Sequence, residues 1–223
     1  MKPTPTGEPA QWVIDSLGGF AHGVTSVVPR DYEVYLRVFH PFRMNDNTTR
    51  SWKMIAERVG REPHPLMQID RLLDGFNHDD YYDHAPLDGQ LPGDIARVLV
   101  ERLRAHTSTP DICFHAFWAG FGGMPKTAPA FDIPGRTMRL YQGSIGDAER
   151  GIIIEDNAVR TTYRSNIWWP EDRAWCVATE IDFPCTYIGC TRTTADDLQT
   201  TGLEIAEVRH DDPVVFASGP TYR

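Results

Sequence analysis

Four cysteines in 223 residues, none in a C-x-x-C pair, are too few for a disulfide scaffold. Only Cys185 and Cys190 stand near each other, so the closely spaced pairs of a zinc site are missing. Reduced thiols in or near the core are expected. No stretch approaches the roughly 18 to 20 apolar residues of a membrane span. Positive charge is also short: 22 Lys and Arg stand against 31 Asp and Glu, a net charge of −9. Sequence-independent nucleic-acid binding needs a basic surface to displace counterions, so it is disfavoured, and the acidic balance leans towards a cationic partner. No internal repeat, low-complexity tract, G-x-S-x-G elbow or H-E-x-x-H pair occurs. The glycine-rich WAGFGGMP (118–125) lacks the lysine of a phosphate loop and reads as a strand running out into a loop.

What is present suits a soluble globular chain, with 41% hydrophobic and 24% charged residues. The opening MKPTPTGEPAQW has no apolar core after its lysine; residues 1–9 read as a flexible tail and the cytoplasm as the expected location. A helix is expected over 9–17, stopped by Gly18-Gly19. In TSVVPRDYEVYLRVFHPF, Pro29 and Pro41 bracket a second, with Tyr32, Tyr35, Leu36 and Phe39 at i, i+3, i+4, i+7. RSWKMIAERVG, capped by Gly60, and LPGDIARVLVERLRAHT, with Ile95, Leu99 and Leu103 aligned, give two more.

After His106 the pattern changes. ICFHAFWAGFGG, RTMRLYQGSI, GIIIEDNA, SNIWW, RAWCVATEIDF and CTYIGCT are short, rich in aromatic and β-branched residues, and punctuated by Gly, Pro and Asp. A short helix over 195–200 and a closing strand in LEIAEV complete the chain. Helices first and strands second predict a single α+β domain over 1–223, an antiparallel sheet mostly from the C-terminal half packed on helices from the N-terminal half. Residues 61–91 form a long loop, which is either a functional cover or an element not recognised.

WWPEDRAW is a hairpin signal, with Pro170 at the turn position that wants its fixed φ. Beyond the turn, alternation sets Trp175, Val177, Thr179 and Ile181 on one face and Cys176, Ala178, Glu180 and Asp182 on the other. Two carboxylates two residues apart can share a proton or a metal ion. The plainer expectation is that they pair with arginines such as Arg173 or Arg164, or face water. Arg173 can also stack on an indole.

Residues 165–191, SNIWWPEDRAWCVATEIDFPCTYIGCT, resemble the signature of a family of uncharacterised actinobacterial proteins reading S-N-L-W-W-P-D-D-R-A-W-C-V-A-T-E-I-D and then S-T-Y-V-G-G. VVPRDYEVYLRVFHP, HPLMQ, GQLP, HTSTPDICFHAFWAGFG and PGRTMRLYQG extend the resemblance in the same order. That family has no assigned function, so the likeness implies grouping and no chemistry. Cys185 stands where serine is usual and Cys190 where glycine is usual, which argues against a catalytic cysteine there. SVVPRDYEVYLRVF is similar to the L-P-x-D-Y-x-x-F-L opening of the SUKH superfamily, α+β proteins many of which neutralise toxins by binding them. That likeness implies a core role for Tyr32, Tyr35 and Leu36, and protein binding.

His78, Asp79, Asp80, Asp83 and His84 crowd into FNHDDYYDHAP, but their spacing matches no metal motif. They read as a polar loop, and neither a metal nor a cofactor is expected. His115, alternating with Phe114 and Phe117, reads as a core histidine. The leading expectation is a protein that works by binding another protein, in an immunity-like role, with no nucleic-acid or membrane partner. The alternative is a small-molecule-binding protein or enzyme whose pocket joins Trp168, Trp169, Arg173, Trp175, Glu180, Asp182 and Tyr187 under the 61–91 loop.

Overall fold

Short strands apolar on both faces demand cover on both sides, and the chain supplies it. The computed structural model describes residues 1–19, 23–44, 46, 48–74, 86–156 and 159–214. Its centre is an antiparallel sheet. β1 (Lys2–Pro3), β2 (Val34–Phe39), β5 (Cys113–Trp118), β7 (Arg136–Gly143), β10 (Ile167–Pro170), β11 (Cys176–Ala178), β12 (Cys185–Cys190) and β13 (Ile205–Val208) run in the order β1-β7-β5-β10-β11-β12-β2-β13. β6 (Ala130–Ile133) shares the outer side of β7 with β1. Two small hairpins stand apart: β3 (Phe42–Arg43) with β4 (Thr49–Arg50), and β8 (Ile152–Asp156) with β9 (Val159–Tyr163).

One face is covered by α4 (Gly93–Leu103) and α6 (Arg192–Gln199). Ile95, Leu99, Leu103, Ala195 and Leu198 pack there on Leu36, Trp168, Trp175, Val177 and Ile188. The other face carries α1 (Gln11–Ser16) and the turns up to Val28, packed on Tyr35, Phe114, Trp169, Cys176 and Tyr187. α2 (Trp52–Arg58) and α3 (Ile69–Leu72) build a side core with Phe39 and Phe42. A single helical turn, α5 (Asp147–Arg150), follows β7. The α+β class and the antiparallel sheet are as expected, and the helices over 52–58 and 93–103 fall where their patterns place them. Residues 192–199 form the last helix, and Ile205–Val208 the closing strand.

Four expectations change. Residues 34–39 form a strand, not a helix. The stripe through Tyr32, Tyr35, Leu36 and Phe39 ignored Val34 and Val38, which make the segment apolar on both faces, and all six residues of β2 are buried. A buried segment bracketed by prolines and rich in valine satisfies its backbone best between two strands. β2 therefore lies between β12 and β13, so the sheet draws on both halves of the chain, and α6 shows that the helical cover does too.

Residues 1–9 are not a tail. β1 pairs with β7, Thr4 N donates to Leu140 O at 3.2 Å, and Pro9 sits in a 3₁₀ turn that leads into α1. Unpaired groups on the rim of β7 are satisfied by this strand. The 61–91 segment is structured where it is described: Met67, Leu72 and Leu73 are buried in the side core, and the carbonyl of Pro65 accepts from the buried guanidinium of Arg37 at 3.0 Å. Finally, Pro170 ends β10 rather than entering the turn. Glu171 and Asp172 are the central residues, Arg173 N donates to Pro170 O at 2.9 Å, and Arg173 takes a left-handed φ of 56°.

Candidate functional site

The three tryptophans of the hairpin are scaffold. Trp168 and Trp175 point to the helix-covered face, edge to face with ring centroids 5.0 Å apart, and both are fully buried. Trp168 also lies parallel to the ring of His115, and Trp175 Nε1 donates to Leu103 O at 3.1 Å. Trp169 points the other way, between Phe114 and Trp12. Tyr187 is buried on that same face, where loss of solvent pushes its phenol pKa upward. None of the four lines the cleft described below, because alternation inside a sheet covered on both sides turns their side chains into the two cores. Arg173 does stack on an indole, but on Trp12, 5.1 Å from the ring centroid.

The turn is held by Asp172. Its carboxylate accepts from the Thr107 and Ser108 hydroxyls at 2.8 and 2.7 Å and from Ser108 N at 2.6 Å. Burial raises its pKa, but these hydrogen bonds outweigh that effect and leave it below the ordinary value.

The acidic half of the same segment behaves differently. β11 ends at Ala178, and residues 179–183 leave the sheet in a turn closed by Phe183 N donating to Glu180 O at 3.1 Å. Glu180 and Asp182 are brought together by this turn rather than by strand alternation, and the cation between them is Arg136, not Arg173 or Arg164. Arg136 Nε donates to Glu180 Oε1 at 3.0 Å and Arg136 Nη2 to Asp182 Oδ2 at 2.7 Å. The second oxygen of Glu180 takes Asp182 N at 2.6 Å. Arg164 instead donates to Glu149 O. Arg136 is placed by the Pro134-Gly135 turn, where Gly135 has φ 80°, the positive value that the third position of a type II turn requires. A proline-glycine pair before a strand was the available signal. It names no partner, because Arg136 lies 44 residues before Glu180 and only the fold brings them together.

This ion triad edges a half-open cleft of ≈ 190 Å³. Val27, Met138, Ile167 and Ala178 contribute apolar lining, and Ile133, Pro134, Ile181, Phe183 and Val214 add to it. Of the seven residues named from sequence, only Glu180 and Asp182 take part. Asn166 lines it too, and ties its parts together: its amide donates to Thr179 O and Gly89 O, while its Oδ1 takes Trp118 N at 2.9 Å. The loop at Gly89 lies so close to the turn that a side chain there would meet Ile181 O at 2.2 Å, and Gly89 N donates to Phe183 O. That contact holds Asp88 beside the acidic turn. Burial raises the Asp88 pKa, and repulsion from Asp182 and Asp70 raises it further.

Other chemistry-bearing groups are locked inside. His115 is fully buried, within hydrogen-bond distance of the Ser165 hydroxyl (3.0 Å) and Ser144 O (3.1 Å). His40 is held in the same way by Leu87 O at 2.8 Å and the Thr186 hydroxyl at 2.9 Å. Burial lowers both pKa values to about 4, so both rings are neutral at physiological pH. All four cysteines are free and buried, and burial raises Cys113 and Cys190 to about 12. Such thiols are poor nucleophiles. The loop carrying His78, Asp79, Asp80, Asp83 and His84 lies outside the described residues. Among the described residues, no group of three His, Cys, Asp or Glu side chains gathers to hold a metal ion, and no helix is long and apolar enough to cross a membrane.

No protein-family model, curated protein or solved structure matches the chain. Function must be argued from the cleft.

Proposed function

We propose that this protein works by binding another protein, and that the cleft between the β6–β7 turn, β10, β11 and the 179–183 turn receives one apolar side chain of the partner. The size and lining of the cleft support this reading. An apolar cavity of roughly 150 Å³ holds a benzene ring; at ≈ 190 Å³ this one suits a single ring or branched side chain. Pockets for whole small-molecule ligands commonly run from about 300 to 1,000 Å³. An apolar floor with a charged rim is also the anatomy of an interface hot spot, where one anchor is buried and a polar edge excludes water. The carboxylates nearest the cleft are engaged by Arg136, and the buried histidines and thiols lie elsewhere. An immunity-like role, with a toxin as the partner, is the form of this reading to which the resemblance of residues 26–39 points.

Val27→Phe, which fills the cleft from its edge, tests the proposal. A partner captured by the native chain should be lost with this variant and kept with Val159→Ser, a change on the separate β8–β9 hairpin. Equal capture by both folded variants would place the interface elsewhere.

A further inference from the structure

Among the described residues the charges around the cleft are unbalanced, and the imbalance says what accompanies the anchor. One guanidinium, Arg136, serves two carboxylates, and it reaches Asp182 through Oδ2 alone. Asp182 Oδ1 accepts no hydrogen bond among the described residues, and the side chain is 61% exposed. Asp88, held alongside by the Gly89 contact, has no hydrogen bond or ion pair among the described residues. Asp182, which lines the cleft, and Asp88, brought beside the 179–183 turn by the Gly89 contact, therefore both keep unspent acceptor capacity near the apolar hole. An acidic partner group would have to displace carboxylates already bonded to Arg136 and then meet Asp88. A basic group would find Asp182 Oδ1 and Asp88 ready and would relieve their mutual repulsion.

We infer that the partner segment carries a lysine or arginine next to its apolar anchor, the anchor entering the cleft and the cation pairing with Asp182 and Asp88. This rests on the binding role proposed above and names the chemistry of the partner. The chain's net charge of −9 acts in the same direction at longer range, favouring encounter with a basic partner.

The test uses four capped tetrapeptides, with Phe-Lys, Phe-Gln, Phe-Glu or Ser-Lys between glycines, titrated into the full chain while the Met138 methyl signal is followed by NMR. The Phe-Lys peptide should move that signal and bind about fivefold tighter than Phe-Gln, the size of one or two partly exposed ion pairs, with Phe-Glu weakest. The Lys preference should vanish in the Asp88→Asn, Asp182→Asn double variant and shrink in 0.5 M salt (roughly half the screening length at physiological salt), while Phe-Gln binds as before. Equal binding of Phe-Lys and Phe-Gln to the native chain overturns the inference and leaves the cleft as an anchor site. If no Phe peptide moves the Met138 signal, or Ser-Lys binds as well as Phe-Lys, the anchor-binding role itself falls. Asp182→Asn alone provides the same reading if the double variant does not fold.

Discussion

Trp168, Trp169 and Trp175 on one side, and Glu180 with Asp182 on the other, are separated by only a few residues of one hairpin, yet they belong to different environments. The tryptophan part lies within the sheet, covered on both faces, and its polar atoms are engaged by backbone or left enclosed. The acidic part begins where β11 stops pairing, and there the backbone turns out of the sheet and its side chains reach solvent. Composition alone would rank the first as the more promising site, since tryptophan and arginine are the residues of binding hot spots. Burial reverses that ranking. A side chain locked inside by the fold supports a site without touching its ligand.

The sharpest way to break this contrast is to truncate one residue on each side. Trp175→Ala leaves a large hole under α4 and removes the indole hydrogen bond to Leu103 O; it should cost about 3–5 kcal/mol of stability in urea unfolding, the range for buried tryptophan truncations. A loss below about 1 kcal/mol would show that the tryptophan part is not core.

Acid gives the next largest effect. His40 and His115 titrate near 4 in the folded chain and near 6.5 when unfolded. Between those values the unfolded state binds more protons, so stability falls as pH drops from about 6.5 to 4. A shift of that size is worth about 3 kcal/mol for each ring once pH is below 4. His40→Gln should remove one share of this slope in pH-dependent unfolding; an unchanged slope would mean that the ring is not held neutral.

Asp172→Ala comes third. It strips four hydrogen bonds from the hairpin turn, including Ala174 N at 3.2 Å. Because the site is exposed, about 1–2 kcal/mol is expected in the same assay, with the Phe-peptide affinity of the cleft unaltered. The smallest stability change belongs to Asp182→Asn, under about 1 kcal/mol for a largely exposed ion pair. It should nonetheless alter the charge preference of the cleft. If Asp182→Asn destabilised the chain as much as Trp175→Ala, the acidic turn would be scaffold too.

Much of the architecture was readable along the chain because it rests on local rules. Alternation placed Trp175 and Val177 opposite Cys176 and Ala178, and helical spacing found residues 93–103. The break after His106 marked where most of the strands begin, although β2 lies before it and α6 after it. The failures share one cause. Residues 34–39 satisfy a helical stripe and a two-faced strand equally well, and only the presence of β12 and β13 on either side decides between them. β1 exists because β7 has an open rim, a fact about another part of the chain. In the candidate site, Glu180 and Asp182 were visible as a spaced pair, whereas Arg136 was not, being 44 residues away from Glu180.

The amino-acid order alone thus set the α+β class, the reduced and scattered thiols, the hairpin at residues 170–173 and the acidic charge, since each depends on composition or on neighbours a few positions apart. Tertiary structure decided which of the conspicuous residues are reachable. The cleft draws on residues 26–27, 133–138, 166–167, 178–183 and 214, segments adjacent only through the order of strands in the sheet. Pairing across such distances is selected by the burial and hydrogen bonding of the whole sheet, and no local pattern carries it.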